Sequence, residues 1–408
     1  MFIDYSTEPI DIVSKENRWL CTYRYEPFLK KWFYVEPNMK RMIKLVKSED
    51  VPEIVLNHSK KVKYDSLYSY YAPIKTQIQI NKGCNYKCKM CYASSSNFVD
   101  QEISLKELDM TFSKLKKLGV LRVNFVGGEP FFRKDFIEIC KLARKHRLLY
   151  SFISNGIICG QNIEKYSWVI ENAFNMQISC NGFDESYKYE YNSFNWLIAK
   201  KNITKVINKA KKSILSYVIT ENNYEDIPNF IQFASEINPT VIKFGTVCFS
   251  GRAKKDKAVD YYQNIVPKAK KIINDMRERY PHLLIQSQID QGIDTPLWEE
   301  FSNDYRPFEF YFSPEGKDGF YIKVNGNIYP FPLLSEYDEL KIGSIYDNFA
   351  EIWKNSEVLK DIRNVTFKNS LCGKLGCKKV CGLWSRSYAY AWSNDLYGKI
   401  PCLLTNWE

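Results

Sequence analysis

Three cysteines within eight residues, Cys84, Cys88 and Cys91, carry the densest chemistry in the chain. Three thiolates on one short loop can hold three irons of a [4Fe–4S] cube, which leaves the fourth iron without a protein ligand. A small molecule bearing an amine and a carboxylate can chelate that open iron. Zinc on the same thiols would want a fourth ligand nearby. The chain's only histidines, His58, His146 and His282, are all distant in sequence. A second group, Cys372, Cys377, Cys381 and Cys402, falls in the last 37 residues. Four thiolates suit one complete iron–sulfur cluster or tetrahedral zinc.

These groups need a scaffold, and the hydrophobic periodicity supplies one. Strand-like runs lie at Thr76–Ile80, Arg122–Val126, Leu149–Ile153, Met176–Ser179, Ile214–Ile219 and Val241–Val247, with helical segments between them. Ser104 and Glu107 form a capping box ahead of one helix, and Asp135 with Glu138 is expected to cap the next. Six βα repeats predict an α/β fold, a parallel sheet with helices outside that is open or curled into a partial (β/α)6 barrel, with ligands at the carboxyl ends of the strands. The chain divides into residues 1–72, a small α+β module; 73–304, the barrel; and 305–408, a cysteine-rich extension. In the first part, Arg18–Tyr25 and Lys31–Val35 read as strands, and Asn38–Val46 and Val51–Leu56 as helical. In the last part, Asn325-Gly326 marks a hairpin between Phe320–Val324 and Asn327–Tyr329, and Asn348 caps a helix.

The cysteine loop, set directly after the first barrel strand, resembles the radical S-adenosylmethionine (radical SAM) superfamily. Gly127-Gly128-Glu129-Pro130, at the second strand's end, is similar to the segment whose backbone contacts the methionine amino group. Ser154-Asn155, at the third, resembles the ribose-side segment. Ser179, at the fourth, matches a serine that touches the cofactor, and Met90 takes the position whose backbone meets the adenine. This chain departs from the family at Cys180-Asn181 and at Tyr191, where relatives often place an arginine. Arg252, after the sixth strand, is therefore the candidate cation for the cofactor carboxylate. Cys180 and Cys248, near strand ends where a thiol can act on a radical, are the catalytic candidates. The resemblance spans roughly residues 74–290.

The C-terminal cysteines resemble the SPASM/twitch extension of peptide-modifying members, which carries auxiliary clusters. Phe331 and Asn369 stand where a second auxiliary cluster would need cysteines, so one such cluster is expected. The N-terminal module is similar to a leader-peptide recognition element, with Lys31–Val35 as its open edge. The formal net charge is +11, from 58 basic and 47 acidic residues, which suits an acidic leader. Lys201, Lys205 and Lys209 read as one solvated helix face, not a nucleic-acid patch.

The resemblance implies an enzyme of oxidoreductase type that generates a 5′-deoxyadenosyl radical and modifies a ribosomally made precursor peptide, most simply by a thioether or carbon–carbon crosslink. A flavodoxin or ferredoxin would supply electrons. Twelve cysteines, no apolar run near the ~18 residues that span a bilayer, and an acidic N-terminus predict a reducing cytoplasmic setting without membrane contact. The alternatives are a related enzyme acting as peptide epimerase, sulfatase maturase or on a tetrapyrrole, and a zinc scaffold that binds nucleic acid.

Overall fold

A computed structural model describes residues 3–4, 22–26, 31–35, 44–46, 73, 75–97, 102–120, 122–192, 194–253, 257–290, 315–316, 319–365, 369–374 and 385–398. The N-terminal part forms an antiparallel sheet of four strands, β1 (Ile3–Asp4), β2 (Thr22–Glu26), β3 (Lys31–Val35) and β4 (Lys44–Val46), in that spatial order. Two expectations fail here. Lys44–Val46, read as helical, is a strand, with Val46 opposite Trp32 and Lys44 opposite Tyr34. The apolar spacing of Asn38–Val46 suits a helix, but pairing with β3 makes its last three residues a strand. For the same reason Lys31–Val35 is not an edge, since it pairs with β2 on one side and β4 on the other. The helix expected at Val51–Leu56 lies outside the described residues.

The main sheet has ten strands. Six parallel strands follow the predicted order: β5 (Lys75–Asn81), β6 (Arg122–Gly127), β7 (Leu149–Ser154), β8 (Asn175–Ser179), β9 (Ser213–Ile219) and β10 (Val241–Thr246). A short strand that periodicity missed, β11 (Ile285–Ser287), pairs parallel with β10. At the other edge β12 (Gly319–Ile322) pairs parallel with β5, and the hairpin partner β13 (Asn327–Tyr329) and β14 (Gly343–Ser344) extend the sheet. The C-terminal hairpin is thus built onto the barrel sheet itself.

Helices α1 (Leu105–Leu118), α2 (Phe136–Lys145), α3 (Ile157–Gln161), α4 (Ile163–Glu171), α5 (Glu185–Glu190), α6 (Trp196–Lys209), α7 (Ile227–Ile237) and α8 (Val266–Arg279) connect these strands. Their apolar stripes cover one face of the sheet. Phe112 and Leu115 of α1 and Phe136 and Ile139 of α2 are fully buried with Val123, Phe125, Tyr150 and Phe152. Strand alternation then turns the other residues to the concave face. They are largely polar and half-buried: Gln77, Asn124, Gln177, Ser179, Lys243 and Gln286.

Ser104 caps α1 as expected, with both capping-box bonds present. Asp135 does not cap α2: its carboxylate makes no bond to the helix N–H groups and is held instead by Arg133, accepting from Nε at 2.7 Å and Nη2 at 3.2 Å. Beyond the barrel, Asn348 caps α9 (Phe349–Asn355), followed by α10 (Glu357–Asn364) and α11 (Arg386–Ser393).

Candidate active site

The cysteine loop is fastened to the ends of β5, β6 and β7 by one continuous hydrogen-bond system. Asn81, the last residue of β5, donates from Nδ2 to the carbonyls of Gly83 (3.1 Å) and Glu129 (2.9 Å). Gly128 N–H donates back to Asn81 O at 3.0 Å, and Glu129 N–H to Gly83 O at 2.8 Å. This closeness is why residue 128 is glycine: a Cβ there would sit 2.2 Å from Gly83 O. Glu129 is buried and accepts from Asn155 N–H (2.7 Å), Ser154 Oγ (2.8 Å) and Phe131 N–H (3.2 Å). Asn155 Nδ2 in turn donates to Asn85 Oδ1 at 2.9 Å, returning the chain of bonds to the cysteine loop.

Behind the loop stands an aromatic wedge. Tyr86 packs on Tyr191 and Phe194 with ring centroids 4.8 and 4.7 Å apart, and its hydroxyl bonds Tyr187 Oη at 3.1 Å. Tyr191 accepts from Asn181 N–H at 3.0 Å, so the position at which an arginine was expected serves packing. On the far side Arg252 donates from Nε to Cys88 O and from Nη1 to Ser95 O, both at 2.7 Å. Its backbone N–H reaches Cys91 O at 3.0 Å. Gly251 (φ +61°) lets that strap approach, because a Cβ would lie 2.2 Å from Tyr92 O.

Residues 78–234, from β5 into α7, match the family model of the radical SAM superfamily. This chain carries a radical SAM domain. Among curated proteins, the sporulation killing factor maturation protein SkfB of Bacillus subtilis is 24% identical over 296 residues, 71% of this chain and 67% of that protein. A PqqA peptide cyclase of Bradyrhizobium diazoefficiens is 24% identical over 357 residues, 82% of this chain and 87% of its own. Among solved structures, Streptococcus suis SuiB bound to its precursor peptide SuiA superposes with a TM-score of 0.64 at 17% identity, covering 88% of this chain and 82% of that one.

Radical SAM domains use S-adenosylmethionine and a [4Fe–4S] cluster, and the donor set here fits both. Burial and the neighbouring Glu129 carboxylate push the Cys84 thiol up to about 12. Cys88 is raised by burial and by the Cys91 and Cys84 thiolates, with Arg252 opposing in both cases. Cys84 and Cys88 thus lie in a desolvated part of the loop where bound iron, by its positive charge, would hold them as thiolates. Yet among the described residues no three such side chains converge on the point a single metal ion would occupy. Arg252 Nη2 is buried and, among the described residues, has no hydrogen-bond partner, a cation edge left over beside the cluster loop.

The other expected residues divide by place. Gly127, Gly128, Glu129, Pro130, Ser154 and Asn155 come together around the cysteine loop; the Glu129 carboxylate is spent on Ser154 Oγ and the N–H groups of Asn155 and Phe131, and the Asn155 side chain on Asn85 and Ile157 N–H. Met90 is half-buried within the loop, and Ser179 is half-buried at the end of β8. Cys180 is fully buried, its thiol 3.8 Å from Gly182 O and pushed up by burial, which places it in the core beneath the site. Cys248 follows β10, half-buried, with burial pushing it up to about 12 against a bond from Tyr388. The side chains of Cys372, Cys377, Cys381 and Cys402 lie outside the described residues. Asn81, Asn85 and Tyr86 escaped the sequence reading; an asparagine directly before the loop, where a strand must stop pairing, was the available signal.

No helix among the described residues is long and apolar enough to cross a membrane.

Proposed function

We propose that this chain is a radical SAM maturase that modifies a ribosomally synthesised precursor peptide, with a thioether or carbon–carbon crosslink as product. One observation carries the reading: similarity to PqqA peptide cyclase extends over 357 residues, well past the 78–234 domain and through the hairpin region. When bound, the reduced cluster and S-adenosylmethionine supply a 5′-deoxyadenosyl radical able to abstract hydrogen from the peptide. The protein's own residues hold and shield that chemistry.

Gly128 and Glu129 spend their N–H groups on Asn81 and Gly83, and the Glu129 and Pro130 carbonyls already accept from Asn81 Nδ2, Phe132 N–H and Arg133 N–H, so the Gly127 and Gly128 carbonyls are the acceptors for a methionine ammonium. Arg252 Nη2 is the cation for the carboxylate, Ser154-Asn155 and Ser179 border the ribose, and Met90 the adenine. Cys372, Cys377, Cys381 and Cys402 hold one auxiliary cluster in the 305–408 extension, and a flavodoxin or ferredoxin supplies electrons to the enzyme. Residues 1–72 receive an acidic leader; the strand order leaves β4 or β1, not β3, as the pairing edge.

Anaerobic reconstitution should give about eight irons per chain. Replacing Cys84, Cys88 and Cys91 with alanine should halve that and abolish cofactor cleavage. Co-expression with a candidate precursor peptide should yield, by mass spectrometry, a peptide lighter by one pair of hydrogens. Zinc in place of iron, or cleavage surviving the triple change, would sink the reading.

A further inference from the structure

Lys243 is the one concave-face residue of β10 that carries a charge. Its neighbours Ile242 and Phe244 are buried in the apolar layer under the helices, so alternation turns Lys243 into the barrel. The wall around it is polar. Lys243 lies in register with Ser216 on β9 and Gln286 on β11, and Ser216 with Ser179 on β8. Ser216 is already engaged: it accepts from Gln177 Nε2 at 3.2 Å and donates to Ile178 O at 3.3 Å. Below this ring the barrel is closed by Val241 packed with Phe174, Ile214 and Leu284. Above it, on the same face of β10, stands Gly245, against which the Gln288 side chain lies: a Cβ there would meet Gln288 Oε1 at 3.1 Å and Cδ at 3.7 Å.

Among the described residues Lys243 has no hydrogen-bond or ion-pair partner, and the charge that bears on it is the like charge of Lys75. A desolvated ammonium beside another cation is costly unless a counter-ion arrives. We propose that Lys243 receives a carboxylate from the substrate peptide, an Asp or Glu side chain lowered into the barrel, and so selects the acidic residue and its depth. This rests on the maturase reading above. The cofactor carboxylate is the other source of the same chemistry. It is disfavoured by position: Lys243 precedes the end of β10 by three residues, about 10 Å of strand. The cofactor segments of β6 and β7 and Arg252 all gather instead at the cysteine loop. The flexible lysine stem spans the remaining depth toward an incoming side chain.

The test uses anaerobically reconstituted full-length protein and reads the acetylation rate of Lys243 by peptide mass spectrometry under an N-hydroxysuccinimide acetate pulse. Saturating N-acetyl-glutamate α-amide should slow labelling about tenfold, the scale of a charged hydrogen bond. N-acetyl-glutamine α-amide should leave it unchanged. Lys243→Met should weaken glutamate-amide affinity about tenfold, and Lys243→Arg should restore most of it. Iron content and the far-ultraviolet dichroism of each variant show whether it has folded. Equal protection by the two amides, or equal affinity of Lys243→Met and wild type, would overturn the proposal. Protection by S-adenosylmethionine alone would also overturn it, by assigning Lys243 to the cofactor. Because none of these readouts involves a modified peptide, the maturase reading stands or falls separately.

Discussion

At the ends of β6 and β7 the polar side chains bond to one another, whereas along β8, β9 and β10 they line an open wall with one charge unmatched. Glu129, Ser154, Asn155 and Asn85 are joined in one run of bonds. On the opposite wall Gln177 and Ser216 satisfy each other, and Lys243 has no described partner. The first arrangement suits a site whose ligand must never shift: the brace fixes the cysteine loop and presents backbone groups to a cofactor of constant shape. The second suits a partner that comes and goes, because groups left unpaired on the wall can be satisfied by what enters. Rigidity and selectivity are thus assigned to different strands of one barrel.

The brace should be the more fragile half. A Cβ at Gly128 would meet Gly83 O at 2.2 Å, Gly83 C at 2.6 Å and Lys82 O at 2.6 Å, all backbone atoms of the cysteine loop. Gly128→Ala therefore displaces the loop itself, and a destabilisation of about 3 kcal/mol or more is expected. Thermal unfolding and iron content measure it together. An alanine variant that retains full iron and an unchanged melting temperature would show that the loop is free to move, and the contrast between the walls would be lost.

Glu129→Gln sharpens the contrast through pH. Burial raises the Glu129 carboxyl from its ordinary 4.5 to about 7, although three donors oppose the rise. Between those values the native state holds a proton that the unfolded chain releases. Its contribution to stability is present below about 4.5 and is lost as pH rises through about 7. Glutamine cannot titrate, and its amide NH2 faces a donor that the carboxylate had accepted. Wild type should exceed Glu129→Gln in stability by a few kcal/mol at about pH 5, and that margin should shrink toward about pH 8. Denaturant unfolding at both pH values gives the two margins, and one that widened with pH would mean that Glu129 is ionised throughout.

Much of this was legible in the residues because barrel strands and motifs have local causes. Ile78 and Val123 each stand between polar neighbours, Phe125 and Phe152 each follow one, and a glycine pair after a strand marks a close backbone approach. What escaped was set by distant partners. Asp135 looked like a helix cap until Arg133 took its carboxylate. Lys44–Val46 looked helical until β3 paired with it. Arg252 was expected at the cofactor, but only the fold reveals that two of its donors hold the carbonyls of Cys88 and Ser95. Lys243 gave no signal, since a lysine in a strand reads as solvent-facing until the sheet is seen to curl around it.

The smallest expected effect lies outside both walls and calibrates them. Ser104 Oγ accepts from Glu107 N–H at 3.3 Å, and Glu107 Oε2 accepts from Ser104 N–H at 2.8 Å, closing the first turn of α1. The same helix reaches the C-terminal part through Lys114 Nζ, which donates to Ile345 O at 2.8 Å and Asp347 O at 3.1 Å. Ser104→Ala leaves one N–H group without its cap, a cost of about 1 kcal/mol. In a protein of this size that is a melting shift of about 2 °C. Since α1 packs on the outer face of the sheet, iron content and the acetylation rate of Lys243 should both stay at wild-type values. If iron falls with this mild loss, the cluster loop is responding to overall stability. Iron loss in Gly128→Ala would then no longer report on the brace, and only the difference in size between the two variants would.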